Sequence, residues 1–354
     1  MVYTPAVINE TLPPVRINLL SDTQTRPTPA MREAMLRADV GDEQLGADPT
    51  VNRLCERVAD LLGKEAAVFL PSGTMCNVVA TLVHCRRGDE ILAHETAHIV
   101  TSEGGVHAAL GGAQILPLRG DGGLFSLNTL RAATRTRSRY APAQTLLSVE
   151  QTANIGGGTI WPLEVLTQLT IFAKANDLAT HMDGARLMNA CVATGVTARA
   201  MATGWDSVWI DFTKGLGAPL GAVIAGSRDF IDAVWRWKQR IGGAMRQAGI
   251  EAAACLYALD HHIERLADDH ANARALARGL AQIEGVRVQQ PQTNLVFFEL
   301  DNPLTPERLI ATLRQHGILL TTLGGRLRAC THLDVDAAMI EETIAVVRDA
   351  LRKD

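Results

Sequence analysis

The chain has 354 residues, 47% of them hydrophobic, a formal net charge of −4 and a pI near 6.2. That length can bury a large core and permits two or three domains, while the mildly acidic balance offers no basic field for a phosphodiester backbone, so no nucleic-acid partner is expected. No apolar run reaches the roughly 18 residues that span a bilayer, and the opening MVYTPAVINETLPPVR has neither a basic start nor a continuous apolar stretch, so no membrane partner or signal peptide is expected.

From about Leu61 to Ala225, short apolar runs alternate with helical patterns. AAVFL, EILA, AQILPL, TLLSVE, LATHMD, SVWIDF and AVIAG predict the strands of an α/β unit with a largely parallel, buried sheet. After GGAMRQAG (242–249) a long helical stretch leads to a smaller unit, where VRVQQ, NLVFFEL, GILLTTL and RLRAC read as strands and TPERLIATLRQH and DAAMIEETIAVVRDAL as helices. The expected layout is an N-terminal arm over 1–20, a large domain over 21–245 and a small α/β domain over 246–354, entered by a linker helix from about 246.

Six cysteines (55, 76, 85, 191, 255 and 330) show no CxxC spacing, which predicts reduced, mostly buried thiols and a cytoplasmic protein. HETAH (94–98) lacks the HExxH order and His261 and His262 point apart on a helix, so no metal site is expected.

Ligands of parallel sheets gather at the carboxyl ends of strands, and Ser72 to Thr74, Glu150, Asp183 and Lys214 all fall at or just past such ends. PSGTMCN (71–77) joins a strand to a helix; backbone N–H groups there, with the hydroxyls of Ser72 and Thr74, suit a phosphate dianion, and an ordinary helix cap is the alternative. His98, in ETAHIVTSEGG (95–105), is placed to stack on a flat ring or to serve only as a satisfied histidine. Asp183 closes LATHM, and a buried carboxylate there needs a cation, either a protonated ring nitrogen or Arg186 three residues on.

Of five lysines (64, 174, 214, 238 and 353), only Lys214 follows an apolar strand and precedes closely spaced glycines, in WIDFTKGLGAPLG. A lysine amine for an aldehyde and a carboxylate for a pyridine nitrogen together point to pyridoxal phosphate. Arg186 and Arg328 are the candidate forks for a substrate carboxylate.

Nine ordered blocks resemble the threonine aldolase group of the aspartate-aminotransferase-like, fold type I pyridoxal-phosphate enzymes: SDTQTRPTPAMREAM, VGDEQLGADPTVN, FLPSGTMCN, AHIVTSEGG, SVEQTANIGGG, HMDGARLMNA, TKGLGAPLG, GGAMRQAG and LRACTHLDV. The resemblance implies that Lys214 bonds to the cofactor, Asp183 pairs with its ring nitrogen and His98 stacks on the ring. Ser72, Gly73 and Thr74 would hold the phosphate, aided by a basic residue of a neighbouring subunit, for which Lys238 stands where arginine is usual. Ser21, Arg186 and Arg328 would grip the substrate carboxylate. A homodimer with shared sites, commonly paired into a homotetramer, is implied, as is an aldolase that splits L-threonine-like β-hydroxy-α-amino acids into glycine and an aldehyde.

The chain departs from that pattern at Tyr140, where a second active-site histidine is usual, at Leu45 for tyrosine, Ala47 for an acid and Leu20 for arginine, and at EQTAN for ENTHN. These changes imply a less polar side-chain pocket, suited to a bulky or aromatic aldehyde and still contacted by Tyr140. They leave His98, or a water that it holds, as the candidate base. The competing readings are β-elimination, racemisation or glycine transfer at the same cofactor, and a non-catalytic cofactor-binding protein.

Overall fold

The computed structural model describes residues 12–301 and 305–352; the first eleven residues of the expected arm and Lys353 lie outside the described residues. The first strand, β1 (Ile17–Asn18), is followed by the strands of the large sheet: β2 (Ala66–Leu70), β3 (Glu90–His94), β4 (Gln114–Leu118), β5 (Gln144–Glu150), β6 (Ala179–Asp183), β7 (Ser207–Asp211) and β8 (Ala222–Gly226). Their order is β2-β8-β7-β6-β5-β3-β4, and all of them run one way except β8, which is antiparallel to both neighbours. Strands β3, β7 and β8 are buried along their whole length, as expected of a sheet covered on both faces.

The segments that position the site are fixed by local chemistry. Helix Pro49–Leu62 starts with Asp48, whose carboxylate accepts from the N–H groups of Thr50 and Val51 at 3.1 and 3.0 Å, carries Pro49 in its first turn, and ends at Gly63 with φ 64°. The same carboxylate accepts from Gly41 and Gly249, so the GDEQLGADP loop is anchored through a helix cap. Helix Gly73–His84 starts at Ser72, which accepts from the N–H of Met75 at 3.2 Å. An added Cβ at Gly73 would sit 2.3 Å from the Trp209 ring, so only glycine fits.

The small unit contains β9 (Val286–Gln289), β10 (Leu295–Leu300), β11 (Ile318–Leu319), β12 (Thr321–Leu323) and β13 (Arg326–Cys330). Four of them form an antiparallel sheet, β12-β13-β10-β9, and β11 pairs in parallel with β1, which ties residues 17 and 18 to this unit. GILLTTL, read as one strand, is therefore two, divided at Leu320 between different sheets.

The linker helix expected from about 246 corresponds to helix Gly249–His261. Helix Gly249–His261 buries Ala252, Ala254 and Cys255 in the same core as the large sheet, and the small unit's core begins to draw on Ala273, Leu276 and Ala277 of the next helix, Leu266–Ala281. All six cysteines are free thiols, five of them buried. Among the described residues no helix is long and apolar enough to cross a membrane.

Candidate active site

The carboxyl ends of β2, β3, β5, β6 and β7 converge on a cleft of about 360 Å³, lined by residues from these strand ends and by Ser21 and Arg328 from outside the large sheet. Ser21, Ser72, Gly73, Thr74, His98, Asp183, Arg186, Lys214 and Arg328 all line it. Tyr140 and Lys238, also expected at the site, do not.

Tyr140 is 86% exposed, beside Arg139 at 5.2 Å, in the turn that precedes β5. It therefore lies at the amino end of a strand whose carboxyl end carries Glu150, and seven residues at about 3.3 Å each separate those ends by roughly 20 Å. Lys238 falls on the apolar stripe of helix Arg228–Arg240 with Phe230, Ile231 and Val234; it is fully buried, 2.7 Å from Glu43 and 4.3 Å from the Trp235 ring centre. Within one protomer the ammonium is committed to Glu43.

Lys214 follows Asp211, the last residue of β7, and its amine pairs with the Asp211 carboxylate, which also accepts from the N–H and hydroxyl of Thr213 at 2.8 and 2.7 Å. Arg186 does not pair with Asp183. Its Nε and Nη2 form a fork on Asp22, both at 2.7 Å, and Nη1 has no partner among the described residues. Burial alone would raise the Asp22 pKa, but the Arg186 guanidinium beside it holds the carboxyl well below its ordinary range.

Asp183 and Arg328 are buried in the cleft without a counter-ion among the described residues, as is Glu150. Asp183 is 2% exposed and accepts from Asn77 Nδ2 at 2.9 Å and from the N–H of Ala185 at 3.0 Å, yet has no salt bridge among the described residues; burial, the largest influence, pushes its pKa up. Arg328 donates to Asn154 Oδ1 at 3.1 Å and to the Leu20 carbonyl at 2.7 Å; among the described residues its buried Nε has no partner and no acid pairs with it. Burial lowers its pKa.

Glu150 stands level with Asp183 on the neighbouring strand and accepts from the N–H groups of His98 at 3.1 Å and Asn154 at 3.2 Å. Burial, followed by the negative charge of Asp183, raises its pKa to about 7. A carboxyl whose folded pKa lies above its unfolded value of 4.5 contributes stability that is full below pH 4.5 and fades as pH rises to about 7. Glu150→Gln is therefore expected to flatten the loss of melting temperature of the cofactor-free protein over that window, read by thermal unfolding at stepped pH.

His98, one strand from the phosphate loop, donates from Nδ1 to Glu103 Oε1 at 2.7 Å. His98, Glu103 and Asp183 bring one atom each within 4.8 Å, the spacing of a cation site. Asn77 and the His98 ring already occupy those oxygens.

These residues fit pyridoxal phosphate. The unpaired Asp183 suits a protonated ring nitrogen, Lys214 provides an amine, and the start of the 12-residue helix Gly73–His84 offers N–H groups and the hydroxyls of Ser72 and Thr74 to a phosphate. Sequence reading missed Asp22, Asn77, Glu103, Asn154 and Asp211, and gave Glu150 no role. Asp211 closes an apolar strand just as Asp183 does, so the same criterion would have found it. Asp22 and Asn77 gain their meaning from side chains 26 to 272 positions away, whereas Glu103 is also bonded to His98 and His107, five and four positions away.

The chain matches the beta-eliminating lyase family over residues 18–303. It is 38% identical to low-specificity L-threonine aldolase 1 of Arabidopsis thaliana over 95% of this chain and 96% of that one. It is 39% identical to the low specificity L-threonine aldolase of Escherichia coli K12, over 93% and 97%. A solved threonine aldolase structure from Leishmania major superposes with a TM-score of 0.81 at 21% identity, covering 95% of this chain and 99% of that one, and shares the fold.

Proposed function

Since the chain belongs to the beta-eliminating lyase family and is a pyridoxal-phosphate-dependent lyase of the threonine aldolase kind, we propose that its cleft splits L-threonine-like β-hydroxy-α-amino acids into glycine and an aldehyde. The observation that carries this reading is the pair of uncompensated buried charges in one cleft: Arg328 suits a substrate carboxylate and Asp183 a pyridinium.

When bound, the cofactor supplies a sink for the electron pair left at the substrate's α-carbon. Lys214, whose amine pairs with Asp211 in the free chain, would hold the cofactor through that amine. Ser72, Gly73 and Thr74 receive the phosphate at the helix start. Arg328, with Nη1 of Arg186 and the Ser21 hydroxyl, fixes the substrate carboxylate, which orients the Cα–Cβ bond. His98 takes the β-hydroxyl proton, since Nδ1 is spent on Glu103 and Nε2 has no partner among the described residues.

Loss of a charge-assisted contact of about 1.5–3 kcal/mol is expected to raise KM for the amino acid roughly 10- to 150-fold in Arg328→Leu, with a smaller change in kcat, read by steady-state kinetics.

The assembly we propose is a homodimer completing shared sites, paired into a tetramer. The exposed apolar residues Leu36, Val40 and Leu45 support it, and light scattering tests it. Leu45 is 80% exposed and absent from the cleft lining, so the preference proposed for a bulky or aromatic side chain depends on that assembly. A cytoplasmic location is proposed from the free thiols.

The reading is tested by supplying L-threonine, L-allo-threonine and L-threo-phenylserine separately and quantifying glycine and aldehyde. Glycine matching aldehyde supports it and ranks the side chains. Ammonia with a keto acid would instead establish β-elimination.

A further inference from the structure

We propose that Glu103 is a positioning residue for the cleavage: it holds the His98 ring by Nδ1–H and so leaves Nε2 as the group that accepts the β-hydroxyl proton, a proposal that rests on the retro-aldol reading above.

The Glu103 side chain is completely buried, and three side chains donate to it. Oε1 accepts from His98 Nδ1 and from Asn77 Nδ2, both at 2.7 Å, and Oε2 accepts from His107 Nε2 at 2.8 Å. Burial would raise its pKa, but donation from His107, His98 and Asn77 outweighs burial and holds it at about 2, so it is an anion at any working pH. An anion accepts only, which fixes Nδ1 of His98 as the protonated nitrogen.

The carboxylate cannot turn away from this task. His107 is held from behind by the Thr81 hydroxyl at 2.9 Å. The Asn77 amide has one allowed orientation, because Oδ1 receives Trp209 Nε1–H at 2.8 Å and His181 Nε2 at 3.0 Å, which leaves its two N–H groups for Glu103 and Asp183. His181 is oriented in turn by the Ser207 hydroxyl at 2.8 Å. One amide thus ties the anion behind the base to the anion assigned to the cofactor nitrogen.

The groups that face His98 come from three elements: Glu103 in its own loop, Glu150 at the end of β5 and Asp183 at the end of β6, with His107 behind Glu103. The hydrogen bond that the ring donates to Glu103 is the largest influence and raises the ring's pKa. The proton balance is closed: the hydroxyl proton passes to Nε2, the oxygen's electrons form the aldehyde C=O as Cα–Cβ breaks, the electron pair of that bond stays with the α-carbon, and one proton returns from Nε2 through water to the α-carbon to give glycine. Glu103 stabilises the imidazolium formed on the way.

The test compares holoenzyme of wild type, Glu103→Gln, Glu103→Asp and His98→Asn for cleavage of L-threonine across pH. It adds the His98 titration by NMR of 15N-histidine-labelled, cofactor-free protein, assigned with His98→Asn. Glu103→Gln is expected to lower kcat on the order of 10²-fold with KM changed less than about threefold, to move the acidic limb of the pH profile to lower pH, and to lower the His98 pKa. Glu103→Asp recovers part of kcat. If Glu103→Gln fails to fold, Glu103→Asp and His98→Asn carry the test: a partial shift of the limb in the first and its loss in the second support the proposal. An acidic limb unmoved in whichever Glu103 variant folds, or one retained in His98→Asn, overturns it. Wild type that releases no glycine overturns the aldolase reading itself, which keeps the two failures distinct.

Discussion

Lys214→Ala is expected to reduce glycine release from L-threonine by roughly 10⁴-fold or more, the scale of losing a group that forms a covalent bond in the reaction. Lys64 and Lys238 cannot substitute, since the first donates to the carbonyls of Ala202 and Trp205 and the second is buried against Glu43. Lys214→Arg is the sharper control, because it keeps a cation beside Asp211 while abolishing the amine's nucleophilic chemistry. Both variants should melt close to wild type without cofactor, and both should lack the visible absorbance of a lysine-bound cofactor. Retention of that band in Lys214→Ala would place the covalent link elsewhere.

Asp183→Asn is expected to lower kcat by roughly 10²–10³-fold, the effect of removing one preorganised charge at a reacting centre. The carboxylate is 2% exposed with no cationic partner among the described residues, so its charge has a use only when a cation occupies the cleft. The variant should also gain less melting temperature on adding cofactor, since stabilisation by a ligand follows its affinity for the folded form. Unchanged turnover together with unchanged cofactor stabilisation would remove Asp183 from the site.

Much of the large sheet was legible because its strands are short, continuous apolar runs closed by turn residues, from AAVFL to AVIAG, and each of them appears within a residue of its expected span. The candidate site was legible where chemistry is written locally, as at Lys214 before its glycines or Ser72 at a helix start. It was not legible where function depends on a distant partner. Lys238 carries the right charge but lies on the buried stripe of its helix, and only Glu43, far away in sequence, decides its fate. Tyr140 aligned with a family position, yet the direction of β5 carries it to the opposite edge of the sheet. Asn77 reads as an ordinary residue of helix Gly73–His84, and its role emerges only once four side chains from other elements surround it.

The most direct test of the whole account is the product stoichiometry of the purified, pyridoxal-phosphate-loaded protein on L-threonine. Glycine and acetaldehyde in equal amounts, with no ammonia, is the predicted result. Ammonia with a keto acid, or no glycine while the cofactor is bound, would contradict retro-aldol cleavage at this cleft.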